Sequence, residues 1–167
     1  MRKKLFTAAV AFVLSALTSN AFAFPTWQEL RNEIINYYKT IDTSKQWCID
    51  SDGDLEITYT SSSGSERKAY IMMIESEQAI PDMPPAVCYF ESTTPAKANA
   101  KKMTKCADAI NWALPGVGQV YYKNDAICVA SSIYAYSAPY VAMQITQLGT
   151  FSSMAIDLAE KCTDYVT

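Results

Sequence analysis

The sequence predicts an α+β domain: an antiparallel sheet of about six strands with three helices, in the order αββββαββα. Three observations predict it. Apolar residues recur at three- and four-residue intervals in three separate segments, the mark of helices that bury one face. Between those segments lie short runs bounded by Asp-Gly, Ser-Gly and Asn-Asp turn signals, one of them strictly alternating. Strands joined by tight turns pair antiparallel, and helices set apart from such runs argue against a parallel sheet.

The first helix is announced by Pro25 and by the capping box of Thr26 and Glu29. Trp27, Leu30, Ile34, Tyr38 and Ile41 then make one apolar stripe. Trp47 to Asp50 is a short strand, Ser51-Asp52-Gly53 a turn, and Leu55, Ile57 and Tyr59 alternate with Glu56, Thr58 and Thr60 in the next strand. Ser61 to Ser65 is a looser turn before a third strand over Arg67 to Glu75. A connection with Pro81, Pro84 and Pro85 precedes a fourth strand, Val87 to Phe90, and prolines that cannot donate to a ladder belong outside the sheet interior. Thr94-Pro95 reads as the cap and first turn of the middle helix. Its apolar face carries Ala100, Met103, Cys106 or Ala107, Ile110 and Leu114, and Pro115-Gly116 stops it. Val117 to Tyr122 and Ala126 to Tyr136 form a hairpin across Lys123-Asn124-Asp125. Ser137 and Pro139 open the last helix, with Val141, Ile145, Leu148, Ser152, Ala155, Leu158 or Ala159, Cys162 and Val166 along one face.

Residues 1–23 have the three parts of a removable export signal: Arg2-Lys3-Lys4, the apolar run Leu5 to Leu17, and the small-x-small triplet Ala21-Phe22-Ala23. That run is too short to span a bilayer, and no second one follows, so cleavage after Ala23 leaves a periplasmic or secreted chain with no membrane span. Residue 24 is Phe, which excludes a lipid on a cysteine at the cut site. Residues 24–167, with no linker or low-complexity tract, make a single domain.

The 167-residue chain carries a net charge of −3 and no histidine. An acidic domain lacks the basic footprint that phosphate contacts need, so nucleic acid is not an expected partner. Without histidine there is no His-based triad, no imidazole metal ligand and no imidazole pH switch. Neither Ser-x-x-Lys nor Gly-x-Ser-x-Gly occurs, and Gly116-Val117-Gly118 follows a helix where a dinucleotide loop follows a strand. The chain is read as non-catalytic and without cofactor.

With those exclusions made, the pattern resembles the YbjN-domain family, bacterial proteins labelled sensory transduction regulators with a fold similar to type III secretion chaperones. The residues that carry the resemblance are Asp50-Ser51-Asp52-Gly53-Asp54-Leu55, Ala109-Ile110-Asn111-Trp112 at the end of the middle helix, and Tyr121 to Val129. It covers essentially the whole chain after the signal through short, degenerate motifs. Export and cysteines in several core elements depart from the family. The resemblance implies a chaperone-like fold and brings no catalytic residues.

Four features are weighed for function. Asp50, Asp52, Asp54 and Glu56 mimic a calcium loop, but Leu55 occupies the place where an EF-hand needs glycine, so the cluster reads as a hairpin turn rather than a metal site. Lys97, Lys101, Lys102 and Lys105 crowd two turns of the middle helix in an otherwise acidic chain, either a solvated face or a partner-binding one. Tyr59, Tyr70, Tyr89, Tyr121, Tyr122, Tyr134 and Tyr136 fall on the expected strands, where those turned to an open sheet face are binding candidates. Export makes all five cysteines disulfide candidates: Cys48, Cys88, Cys106, Cys128 and Cys162, none in a Cys-x-x-Cys pair. The expected bridge is Cys106–Cys162, from the apolar faces of two helices, with Cys128 beneath those helices as the rival. The functional expectation is an exported binding or chaperone-like module of the bacterial cell envelope that recognises a protein or peptide; a homodimer is compatible with it. The alternative is a secreted inhibitor or hydrolase acting on cell-wall material or foreign enzymes.

Overall fold

The computed structural model describes residues 24–74, 83–95, 99–116 and 118–165, so the expected export signal lies outside the described residues. Three helices and a six-stranded antiparallel sheet follow one another in the expected order. They are α1 (Trp27–Ile41), β1 (Gln46–Ile49), β2 (Leu55–Thr60), β3 (Glu66–Ile74), β4 (Ala86–Thr93), α2 (Ala100–Ala113), β5 (Gln119–Lys123), β6 (Ala126–Tyr134) and α3 (Ala138–Tyr165). The sheet order is β1-β2-β3-β4-β6-β5. Sequential hairpins build β1 to β4, and α2 then carries the chain past β4 so that β6 pairs with it and β5 becomes the edge.

Local chemistry accounts for the elements. Thr26 and Glu29 cap α1 reciprocally. In the β1–β2 turn Asp50 Oδ1 accepts from the amides of Asp52 and Asp54, each at 2.9 Å, and Gly53 takes φ 86. The cluster is thus a side-chain-stapled turn. Trp27 Nε1 and Arg31 donate to the Gly53 carbonyl, at 2.9 and 2.7 Å, and so lock α1 onto that turn. Asn124 and Asp125, at φ 51 and 60, form the two-residue β5–β6 turn; positive φ at both positions gives the turn a twist that matches the right-handed twist of its strands.

Strand β4 runs on to Thr93 instead of ending at Phe90 and β5 begins at Gln119 instead of Val117; two further boundaries differ for a local reason. Helix α2 starts at Ala100, capped by Asn99 Oδ1 accepting from Lys102 N at 3.0 Å, rather than at Thr94-Pro95. Thr93 is still in β4, so the chain is extended where the Thr-Pro signature invited a helix. Strand β6 ends at Tyr134: the Ala135 amide still bonds the Pro85 carbonyl at 2.8 Å in ladder register, but Pro85 has no N–H to return a bond and the pairing stops there.

The three helices of the described residues pack on one face of the sheet, over two hydrophobic clusters. The first joins Leu30, Ile34 and Tyr38 of α1, inward residues of β2 to β4 and the first turns of α3. The second joins Met103, Cys106, Ala107 and Ile110 of α2, Val120, Ile127 and Val129 of the β5–β6 hairpin, and Ala155, Ile156 and Ala159 of α3. Where the last helix allowed Leu158 or Ala159, Ala159 is fully buried and Leu158 is exposed.

Candidate functional site

Between the two clusters lies a buried polar belt that seats α3 on the sheet. Val87, Tyr89 and Glu91 face inward along β4, and Glu91 sits between Ala69 of β3 and Val129 of β6. Its carboxylate, fully buried, accepts from the hydroxyls of Tyr59, Tyr89 (3.1 Å) and Ser153 (3.3 Å). Burial raises the Glu91 pKa, and the Tyr59 and Tyr89 hydroxyls and the Arg67 charge oppose that rise. Arg67 reaches from β3 to Asp157 and Glu160 of α3, both at 2.6 Å. Helix and strand touch closely here: a Cβ on Gly149 of α3 would fall 2.7 Å from Tyr89 Cε2. Each carboxylate of the belt is held by another member, so the belt positions α3.

Among the described residues two open features flank the helical layer: a polar recess of about 570 Å³ lined by Pro25, Glu29, Asn32, Glu33, Tyr136, Ser137 and Ala138, and, at the other end, an apolar groove between α2 and α3. The groove begins with how α2 ends. The Asn111 side chain donates to the Val120 carbonyl at 2.7 Å and accepts from the Val120 amide at 2.9 Å, imitating a strand partner and clamping the helix end to β5. The next residue, Trp112, is thereby turned outward and is 88% exposed. At 3.6 residues per turn Lys101, Lys105 and Trp112 fall on one line of the outer surface, with Asp108 between them. Helix α3 adds its own uncovered stripe, in which Phe151, Leu158 and Cys162 align by the same spacing and Met154 lies just outside.

The two helices enclose a recess of about 310 Å³ lined by Ala109, Ile110, Ala113, Leu158, Lys161 and Cys162. A second hollow of about 190 Å³ continues it past Ala113 to Leu114, Pro115, Gly116 and Phe151. The floor is apolar. Its margin is basic: Lys161 on one side, Lys102 on the other, and Lys101 and Lys105 on the outer line of α2. Lys102 is near enough to Cys106 for its charge to favour the thiolate. Charged side chains around an apolar trough are the arrangement that takes an amphipathic segment.

Of the lysines expected to form a face, Lys101 and Lys105 are exposed on α2 and Lys102 is half-buried, while Lys97 lies outside the described residues. Of the tyrosines, Tyr59, Tyr89 and Tyr122 are on the helix-covered face, and Tyr70, Tyr121 and Tyr134 take the opposite strand parity. Among the described residues no group of three or more Cys, Asp or Glu side chains is arranged to hold a metal ion.

The five cysteines carry free thiols. Cys106 and Cys162 are neighbours whose thiols share a hydrogen bond, and burial pushes Cys106 up to about 12. Cys128 corrects the expectation that it competes for them. Ile127 and Val129 point into the second cluster, so Cys128 between them points to the far side of the sheet.

Sequence reasoning missed the Glu91 belt and the role of Trp112. Glu91 continues the inward parity of Val87 and Tyr89, and a carboxylate in that register is the signal that was there to find. The groove had a signal too: α3 is apolar well beyond the single face a covering helix needs. No family model, curated protein or solved structure matches the chain.

Proposed function

We propose that the chain is an exported, non-catalytic binding module of the bacterial cell envelope, which holds a protein or peptide segment that is apolar on one side and acidic on the other. The observation that carries the reading is the groove between α2 and α3, an uncovered apolar floor with Lys161 in its lining, together with the exposed Trp112, Lys101 and Lys105 on the neighbouring outer line of α2. The floor supplies affinity by removing apolar surface from water, at about 25 cal/mol per Å² before ordering costs. The lysines select charge: an acidic segment is steered in, and a basic one meets like charge. An exposed tryptophan is costly to leave in water and is among the residues that anchor interfaces best. The expected export signal in residues 1–23 supports the envelope setting, and the resemblance to a chaperone-like family supports the binding role. No helix among the described residues is long and apolar enough to cross a membrane.

The test is a titration with two synthetic helical peptides that share a leucine stripe, one with glutamates and one with lysines on the remaining positions. The glutamate peptide is expected to bind the exported protein, with a shift in tryptophan emission that Trp112→Phe removes. Leu158→Asp should abolish binding. Changing Lys97, Lys101, Lys102 and Lys105 to Glu should reverse the preference between the two peptides. Equal binding of both peptides by the native protein, or binding that survives Leu158→Asp, overturns the reading. Intact mass of the exported chain should begin at Phe24; finding residues 1–23 attached overturns the envelope setting.

A further inference from the structure

The structure divides the five cysteines into two sets. Cys48, Cys88 and Cys128 lie on strands, and their registers keep them apart. Cys88 is opposite Ser132 and Cys128 opposite Ser92 on the paired strands β4 and β6. Four residues of extended chain separate the two positions, about 13 Å. A disulfide needs Cα atoms within about 7 Å, so this pair cannot close. Cys48 is on edge strand β1, opposite Glu56 and three strands from Cys88. Cys106 and Cys162 are different: they face each other across the α2–α3 contact, where Ala107, Ala155 and Ala159 let the helices approach.

The two thiols differ in access. Cys106 is fully buried, whereas Cys162 is partly exposed and lines the groove. We propose that this pair is a thiol–disulfide exchange site, in which Cys162 reacts first with a low-molecular-weight disulfide entering by the groove and Cys106 resolves the adduct. The proposal stands independently of what peptide the groove binds.

The electrons and atoms balance as follows. The Cys162 thiolate attacks one sulfur of a disulfide RSSR; the protein–S–S–R bond forms, the RS–SR bond breaks, and RS⁻ leaves and takes up the proton lost from Cys162. Cys106 then gives its proton to water and attacks the Cys162 sulfur, closing the intramolecular bond and releasing the second RS⁻, which is protonated in turn. The two protein thiols are oxidised by two electrons and RSSR becomes two RSH. The order follows from burial. A thiol sealed in an apolar interface is a poor first nucleophile, and it attacks a sulfur delivered beside it because no diffusion or opening is then required.

The experiment uses the reduced exported chain with Cys48→Ser, so that the exposed edge thiol does not obscure the result, and oxidised glutathione as the probe. After brief exposure, acid quench and alkylation, peptide mapping should first find glutathione on Cys162 and later a Cys106–Cys162 link. Cys106→Ala should accumulate the Cys162 adduct, and Cys162→Ala should leave Cys106 unmodified, the first reaction being at least about tenfold faster than any at Cys106. The native-chain time course keeps the test decisive if either alanine variant unfolds. Glutathione found first on Cys106, a Cys162 adduct that never closes, or a bridge from either residue to Cys128 overturns the proposal.

Discussion

The two hydrophobic clusters share one face of one sheet and one long helix, yet they are built and closed differently. The first is filled by large side chains, Tyr38, Tyr89, Leu30, Ile34 and Ile71, and its rim is sealed by Trp27, Trp47 and Tyr59. Trp47 packs edge-on against Tyr38 with ring centroids 4.8 Å apart, and Lys45 lies over the Tyr38 and Tyr59 rings. The second has Met103, Ile110, Val120, Ile127, Val129 and Ile156 in its floor and small side chains, Cys106, Ala107, Ala155 and Ala159, where α2 meets α3. Small residues bring α2 and α3 together, but they bury little area and leave the larger apolar groups, Trp112, Phe151 and Leu158, outside. The first cluster buries Tyr38 and Tyr89 at its centre, whereas the second has no buried aromatic among the described residues and the nearby Trp112 and Phe151 are exposed. A binding surface belongs at the second, and the Glu91 belt keeps α3 seated while that end stays open.

The comparison can be broken most directly in the first cluster. Ile71→Ala removes a fully buried side chain from the centre of the sheet and should cost about 4 kcal/mol in denaturant unfolding. A loss below about 1 kcal/mol would show that the first cluster is not the stabilising end of the sheet.

The belt gives the next effect. Glu91→Ala leaves the Tyr59 and Tyr89 hydroxyls without their acceptor in a dry site and should cost about 3 kcal/mol; Glu91→Gln should cost less. The pH dependence sharpens this. Burial raises the Glu91 pKa, so the folded chain holds that proton more tightly than the unfolded one. Its stabilising contribution is complete below the ordinary carboxylate value of about 4 and is lost as pH rises through the raised value. The melting temperature of the native chain minus that of Glu91→Gln should therefore fall as pH rises from about 4 to 7. A difference that grows over this range would mean that Arg67 keeps the carboxylate ionised.

The smallest stability effect is expected at the second cluster's exposed edge. Trp112→Ala deletes a larger side chain than Ile71→Ala does, yet it should change stability by no more than about 0.5 kcal/mol, because 88% of Trp112 is already in water. Destabilisation approaching that of Ile71→Ala would place Trp112 in the core and remove the contrast between the two ends.

What the sequence determined by itself is local. The Thr26–Glu29 box, the Asp-Gly and Asn-Asp turns, and the alternation of Leu55, Ile57 and Tyr59 each act within a few residues, and with them come the elements and their order. The basic turns of α2 were legible for the same reason, and so was the nearness of Cys106 and Cys162, since an inward stripe on each of two helices over one sheet leads to one core. Tertiary structure decided what depends on which neighbour arrives. Alternation puts Cys128 opposite in face to Ile127 and Val129, but only the position of α2 and α3 says which face is covered. Helix spacing offers Leu158 and Ala159 nearly equally; the close approach of α2 admits the smaller one and turns the leucine into the groove. Thr94-Pro95 is a sound helix start that loses to strand pairing, because β4 gains ladder bonds to β6 as far as Thr93 and the helix waits for Asn99. Trp112 reads as one more apolar residue near a helix end until Asn111 is seen holding Val120, which fixes the rotation of the helix and leaves the indole in solvent. Intervals along a chain encode which residues share a face; the free energy of burial acts between elements and decides which of those faces is closed.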